Sequence, residues 1–181
     1  MNIAIFGGSF DPPHNAHDII VKEALLNLKI DKLIVIPTYL NPFKSQFGAS
    51  PNLRLKWCQT LWQNLPKVQI SDYEIMQNRA VASIESVRHF KQIYEPKICY
   101  LIIGADQLES LEKWHKFDEL KDEVCFVVAS RDDIEVPSNL QKLNINVRIS
   151  STKVRDELKF DQIPSQILDE VTKFYKEKNA K

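Results

Sequence analysis

The residues best suited to chemistry stand near the two ends of the chain, and both groups would act on an anion. The first is the string Gly7-Gly8-Ser9-Phe10-Asp11-Pro12-Pro13-His14-Asn15-Ala16-His17. Its two glycines permit a tight turn in which backbone N–H groups come close to a ligand. The string is not GxGxxG and lacks the Lys-Ser/Thr of a P-loop, so neither familiar phosphate loop applies. Instead, His14 and His17 are three residues apart where a helix should open, which puts both imidazoles on one face of its first turn. Unsatisfied N–H groups and the helix dipole favour an anion at that position. Zinc is the competing reading, but it needs three or four ligands. Asp11 and Asp18 are not arranged as a zinc motif, and His89 and His115 occur singly, so phosphate contact is preferred over metal.

The second group is Ile149-Ser150-Ser151-Thr152-Lys153-Val154-Arg155. One serine there could simply be an N-cap, worth ~1 kcal/mol. A cap alone requires neither three hydroxyls nor an Arg one turn later on the same face. Together they suggest a second phosphate-binding helix start, with Arg155 able to make charge-assisted bonds of ~1.5–3 kcal/mol. Two such helix starts would grip one polyphosphate. Between them lies Gly104-Ala105-Asp106, followed by Trp114. Asp106 can cap a helix or meet a ribose hydroxyl at a strand end. Trp114 can be a core aromatic or stack on a cationic ring.

The elements that must position these residues alternate. Asn2–Phe6, Lys32–Ile36, Ile98–Ile103 and Val124–Ala129 are short, almost wholly apolar runs without polar alternation, as parallel strands covered on both faces would be. Val68–Ser71 and Asn146–Ile149 are further strand candidates. Helical patterns occupy Ala16–Leu28, Ser83–Tyr94, Ser151–Leu158 and Ser165–Lys178, and Ser50-Pro51 opens another that carries Leu53, Trp57, Leu61 and Leu65. The pattern predicts a doubly wound, Rossmann-like open parallel sheet with helices on both faces. Ligands of such sheets bind beyond the carboxyl ends of the strands. Those ends are where the unusual strings begin. One domain spanning 1–181 is expected, with a helical C-terminal part at about 151–178.

The 181 residues include 24 Lys plus Arg and 24 Asp plus Glu, a net charge of zero. The 44% hydrophobic content supplies ample core material and excludes disorder, while the charge balance speaks against a general nucleic-acid binder, so any anion must be held by local donors. Cys58, Cys99 and Cys125 form no CxxC, and buried free thiols are expected. With neither a secretory signal nor a membrane-length apolar run, a cytoplasmic location and no membrane partner are expected. Trp57, Trp62 and Phe47 are candidates for a homo-oligomer surface, although helix packing is the plainer expectation.

Three strings, GGSFDPPHNAH (Gly7–His17), LIIGADQLESLEKW (Leu101–Trp114) and ISSTKVR (Ile149–Arg155), resemble the bacterial nicotinate-nucleotide adenylyltransferases of the nucleotidyltransferase α/β superfamily. The resemblance implies adenylyl transfer from ATP to nicotinate mononucleotide, a step of NAD biosynthesis that gives deamido-NAD and pyrophosphate. It implies that His14, His17 and Arg155 are catalytic. It implies that Gly7, Gly8, Ser9, Phe10, Gly104, Ser150, Ser151 and Thr152 line the ATP site with them. It gives Asp106 to the acceptor's ribose, Trp114 to the nicotinate ring, and Lys44, Ser83 and Arg131 to the same substrate. Mg²⁺ is expected to ride on the ATP, since no carboxylate cluster would bind it separately.

The chain departs from the family pattern at several points. Ala16 stands where Gly is usual between the histidines, and Asn41-Pro42-Phe43-Lys44 lacks the usual loop His. The segment Ala80-Val81-Ala82-Ser83-Ile84-Glu85-Ser86 keeps a hydroxyl at Ser83 but lacks the usual Tyr, and Arg131-Asp132-Asp133 keeps only the Arg. Nicotinamide mononucleotide as acceptor, a phosphopantetheine adenylyltransferase and a non-catalytic nucleotide-binding module are the alternative readings.

Overall fold

The computed structural model describes residues 1–130, 134–145, 147 and 149–180. Its strands are β1 (Asn2–Gly8), β2 (Lys32–Pro37), β3 (Val68–Ile70), β4 (Ile98–Gly104), β5 (Cys125–Ala129) and β6 (Gln141–Leu143). They form one sheet in the order 3-2-1-4-5-6, with every neighbouring pair parallel. The helices are α1 (Asn15–Asn27), α2 (Pro51–Trp62), α3 (Tyr73–Met76), α4 (Ser83–Tyr94), α5 (Phe117–Glu123), α6 (Ser151–Glu157) and α7 (Leu168–Asn179). Two 3₁₀ segments, Ala105–Lys113 and Phe160–Gln162, complete the described chain. This is the doubly wound, Rossmann-like architecture that the apolar runs imply.

Alternation along β1 sorts the core into two layers. Ala4 and Phe6 face α1 and α2, packing with Val21, Ala24, Cys58 and Trp62. Ile3 and Ile5 face the other side, where Ile84, Val87 and Phe90 of α4 and Leu120 of α5 cover them. A third cluster joins Trp57 of α2 to Val154, Val171 and Tyr175 of the C-terminal helices. The small Ala16 and Ala24 allow α1 to lie close to its neighbours, and both are buried.

Several expectations change. The sixth strand is Gln141–Leu143, paired with β5, rather than Asn146–Ile149. Within that stretch Val147 and Ile149 are described, and neither is in a strand; both pack on the cluster that joins α2 to the C-terminal helices. Leu65 lies beyond the end of α2 at Trp62. Cys58 and Cys99 are buried, but Cys125 is exposed at the start of β5, where the sheet has not yet been covered. Trp57 and Trp62 are fully buried packing residues rather than surface ones, whereas Phe47 is 38% exposed.

Trp57 is 0% exposed and sits against Phe174 and Tyr175, with ring centroids 5.9 and 6.1 Å away. It is the wedge that holds α7 on the rest of the molecule. Replacing it with Ala opens a cavity at this joint. Urea unfolding of Trp57→Ala is expected to show a loss of ~3–5 kcal/mol.

Candidate active site

A cavity of about 470 Å³ opens beyond the carboxyl ends of the central strands. Its walls include Gly8 at the end of β1, Thr38 after β2, Gly104 at the end of β4 and Ser130 after β5. In the 3-2-1-4-5-6 order, β1 and β4 flank the topological switch point, where crossovers leave in opposite directions and a crevice must form.

The β1–α1 connection is built differently from a simple glycine turn. β1 runs through both Gly7 and Gly8, and neither has a positive φ. The left-handed residue is Phe10, at φ 47°. Its ring folds back over Gly8, where an added Cβ would stand 3.1 Å from it. Gly8 is therefore needed for close packing, and the Phe10 ring lies beneath His17 with centroids 4.9 Å apart.

His14 is the N-cap of α1, and His17 is the third residue of the helix. Their rings stack with centroids 3.7 Å apart and planes 16° apart. The His14 backbone N–H donates to His17 Nδ1 at 3.2 Å. In neutral His17 that bond puts the ring proton on Nε2. Both imidazoles line the cavity. Asp18 does not join them, because its carboxylate takes Trp62 Nε1 at 3.0 Å and Lys22 Nζ at 2.6 Å. Among the described residues, no group of three or more His, Cys, Asp or Glu could hold a metal ion.

The hydroxyl-rich turn reaches the same cavity across some 140 residues of sequence. Ser150 caps α6, its Oγ accepting from Lys153 N at 3.2 Å. Ser151 Oγ donates to the Pro12 carbonyl at 2.9 Å, so one hydroxyl fastens α6 to the histidine loop. Ser150, Ser151 and Thr152 all line the cavity, as do Gly7, Ser9 and Phe10. Gly104, Asp106 and Trp114, together with Lys44 and Ser83, complete the sequence-derived set on its walls. Arg155 is not on the wall. Its Nη1 donates to the Asp11 carbonyl, and its Nη2 meets Thr152 Oγ1 at 3.4 Å. Arg131 lies outside the described residues.

Asp11, weighed in the sequence only as a metal ligand, is the centre of a buried network. It is 4% exposed. Its Oδ2 accepts from Gly48 N at 2.6 Å, and its Oδ1 accepts from Ala49 N at 2.8 Å and from the Tyr175 hydroxyl. Gly48 is required for this approach, since a Cβ there would stand 2.9 Å from both carboxylate oxygens. Buried Arg54 closes the network by donating to the carbonyls of Ser9, Ala49 and Tyr39 at 2.5, 3.0 and 2.8 Å. Burial holds its guanidinium below its ordinary pKa, while Asp11 opposes that shift. Lys44 is lowered too, first by burial and then by the charge of Arg155, with Asp11 opposing and Arg54 adding. Positive charge is thus concentrated locally in a chain with none overall.

Residues 5–157 match the cytidylyltransferase-like family model. Over 181 residues the chain is 76% identical to a probable nicotinate-nucleotide adenylyltransferase of Campylobacter fetus, covering 100% of both chains. The chain belongs to the nicotinate-nucleotide adenylyltransferase family. Its relative in Campylobacter jejuni is 51% identical over 175 residues, 97% of each chain. In fold, it superposes on a Plasmodium falciparum nicotinic acid mononucleotide adenylyltransferase complexed with NaAD at a TM-score of 0.75. That match has 20% identity and covers 98% of this chain and 96% of the other.

One cavity residue was invisible to motif reading. Glu74, in α3, is 4% exposed and lines the wall. Ser86 Oγ donates to its Oε1 at 2.7 Å. Burial raises its pKa from the ordinary 4.5 to about 7, with Ser86 opposing and the charge of Glu85 adding. The folded chain therefore holds this proton more tightly than the unfolded chain does. The resulting stability is complete below pH 4.5 and is lost as pH rises through about 7. Glu74→Gln keeps the shape and removes the titration. In urea unfolding it is expected to be more stable than the parent at pH 8.5, by on the order of 3 kcal/mol, with no advantage at pH 4.

Proposed function

We propose that the chain transfers the adenylyl group of ATP to nicotinate mononucleotide, giving deamido-NAD and pyrophosphate. One observation carries the reading. A single cavity receives the stacked His14–His17 pair, the Ser150–Thr152 helix start, and Asp106 with Trp114. Two helix N-termini converging on one space suit a polyphosphate. A carboxylate and an indole on the same walls suit a ribose and an aromatic ring.

The 5′-phosphate oxygen of the mononucleotide attacks the α-phosphorus of ATP in line. A new O–P bond forms, the bond to the β-phosphate oxygen breaks, and pyrophosphate leaves with that electron pair. Such a transfer depends on positioning and charge stabilisation and needs no covalent residue of the protein. His17 donates from Nε2 to the α-phosphate oxygens, where negative charge must be stabilised in the transition state. His14 holds the His17 ring through its own backbone N–H and contributes a second phosphate contact. Gly7, Gly8, Ser9 and Phe10 form the floor beneath the phosphates. Gly104, Ser150, Ser151 and Thr152 bind ATP. Arg155 acts from behind the loop it is bonded to, adding positive charge toward the triphosphate.

Asp106 takes the acceptor's ribose hydroxyls, and Trp114 stacks on the pyridine ring. Lys44 and Ser83, with Arg131, serve the acceptor's phosphate and ring substituent. ATP enters with its Mg²⁺. Among the described residues no group of His, Cys, Asp or Glu would hold a metal ion separately, and no protein ligand is assigned to it.

Three acceptors separate this reading from its rivals when offered with MgATP and assayed for pyrophosphate. Nicotinate mononucleotide is expected to show the highest kcat/KM, ahead of nicotinamide mononucleotide and phosphopantetheine. No turnover of any of them would leave a binding module. His17→Ala is expected to lower kcat by ~10²-fold or more with a smaller change in ATP affinity, as loss of a transition-state stabiliser does. Trp114→Ala is expected to raise the acceptor's KM well beyond that of ATP in initial-rate kinetics, whereas equal changes would make Trp114 a packing residue.

A further inference from the structure

Within the cavity wall, Glu74 has a feature that the transfer chemistry does not use. One carboxyl oxygen is committed to Ser86, while Oε2 is shut off from solvent and has no hydrogen-bond partner among the described residues. The same holds for Trp114 Nε1 and Thr38 Oγ1, and all three residues border this cavity. A buried carboxyl with one free oxygen is stable when protonated and costly when ionised. Ionised, it would stand in a low-dielectric wall where water screens it poorly, so an anion in the cavity would feel its charge.

The elements around Glu74 place it beside the acceptor region. Ser86 and Glu85 face it from α4, whose first residues Ser83 and Ile84 follow the cavity-lining Val81 and Ala82. Tyr73, its neighbour in α3, stacks on His89 of α4 with centroids 3.9 Å apart. Arg79 pairs with Glu85 at 2.7 Å, which removes one nearby positive charge from availability. His115, next to Trp114, lines the cavity and interacts electrostatically with Glu85. Trp114 and Ala82 also pack on the same core cluster.

We propose that the charge state of Glu74 sets the acceptor preference: protonated Glu74 admits a ring bearing a carboxylate, and ionised Glu74 repels it and favours a ring bearing a neutral amide. This rests on the adenylyl-transfer reading above and extends it to the choice between nicotinate and nicotinamide mononucleotides. The two ligands carry the same phosphate and ribose and differ only in that substituent. Titrations that act on both ligands alike, such as that of their common phosphate, therefore cancel in the ratio of their kcat/KM values. The pKa of about 7 places the change within the working range of such an assay.

The test compares both mononucleotides with MgATP between about pH 6 and pH 8.5. In the parent protein, the nicotinate-to-nicotinamide ratio of kcat/KM is expected to fall about tenfold or more as pH rises. In Glu74→Gln the ratio should change less than about twofold. Ser86→Ala removes a hydrogen bond that favours the ionised carboxylate, so the midpoint of the fall should move to higher pH. Calorimetry in buffers of different ionisation enthalpy gives a second readout. Near pH 7.5 the parent should take up more protons with nicotinate than with nicotinamide mononucleotide, and Glu74→Gln should show no difference. A ratio independent of pH in the parent overturns the proposal, as does the same fall in Glu74→Gln, which would transfer the effect to His115 or His89. Should neither mononucleotide turn over, the proposed function fails, and equal proton uptake by the two ligands, or binding of neither, overturns this inference as well.

Discussion

A buried carboxylate, Asp11, holds together the parts on which the site depends. Charge without water is costly unless every oxygen is satisfied, and here two backbone N–H groups and a tyrosine hydroxyl satisfy it. Those donors come from the connection before α2 and from α7. The carbonyls of Ser9 and Asp11 accept from Arg54 and Arg155, which belong to α2 and α6. The loop that presents His14 is therefore held from three directions. Breaking any one attachment would leave a buried polar group unpaired, which explains why the loop is fixed without a metal or a disulfide among the described residues.

The sheet order supplies the place, and this network supplies the precision. An open sheet with β1 and β4 at its centre leaves a crevice whatever its loops contain. The loops determine what the crevice can bind. A neutral chain becomes locally cationic because Arg155 and Arg54 stand close enough to Lys44 to influence it, while some of the acidic residues are spent on surface ion pairs such as Arg88–Glu119 and Lys56–Glu170. Those exposed pairs contribute little stability.

Glu74, like Asp106, places a potential negative charge in the wall of a site built for anions, and it is the buried one of the two. Its burial keeps it neutral until about pH 7, so the arrangement is compatible with anionic ligands only through that suppressed ionisation. The same environment that costs stability when the group ionises gives the cavity a titratable wall. Stability and ligand choice are then two consequences of one desolvated proton.

The local strings in the sequence determined the elements and the principal donors. Continuous β-branched runs can be satisfied only between two layers of helices, and a histidine pair three residues apart at a helix start must share a face. Local chemistry of that kind does not depend on distant contacts. Convergence was another matter. Ser151 reaches Pro12 across 139 positions and Tyr175 reaches Asp11 across 164, and no periodicity encodes such pairings. Arg54 reads as one more charged residue on an amphipathic helix, yet it is buried because three carbonyls meet it there. Glu74 lies in a four-residue helix that follows a short strand, without a motif of its own. Only tertiary packing removed its water, and a pKa is a property of surroundings rather than of residue type.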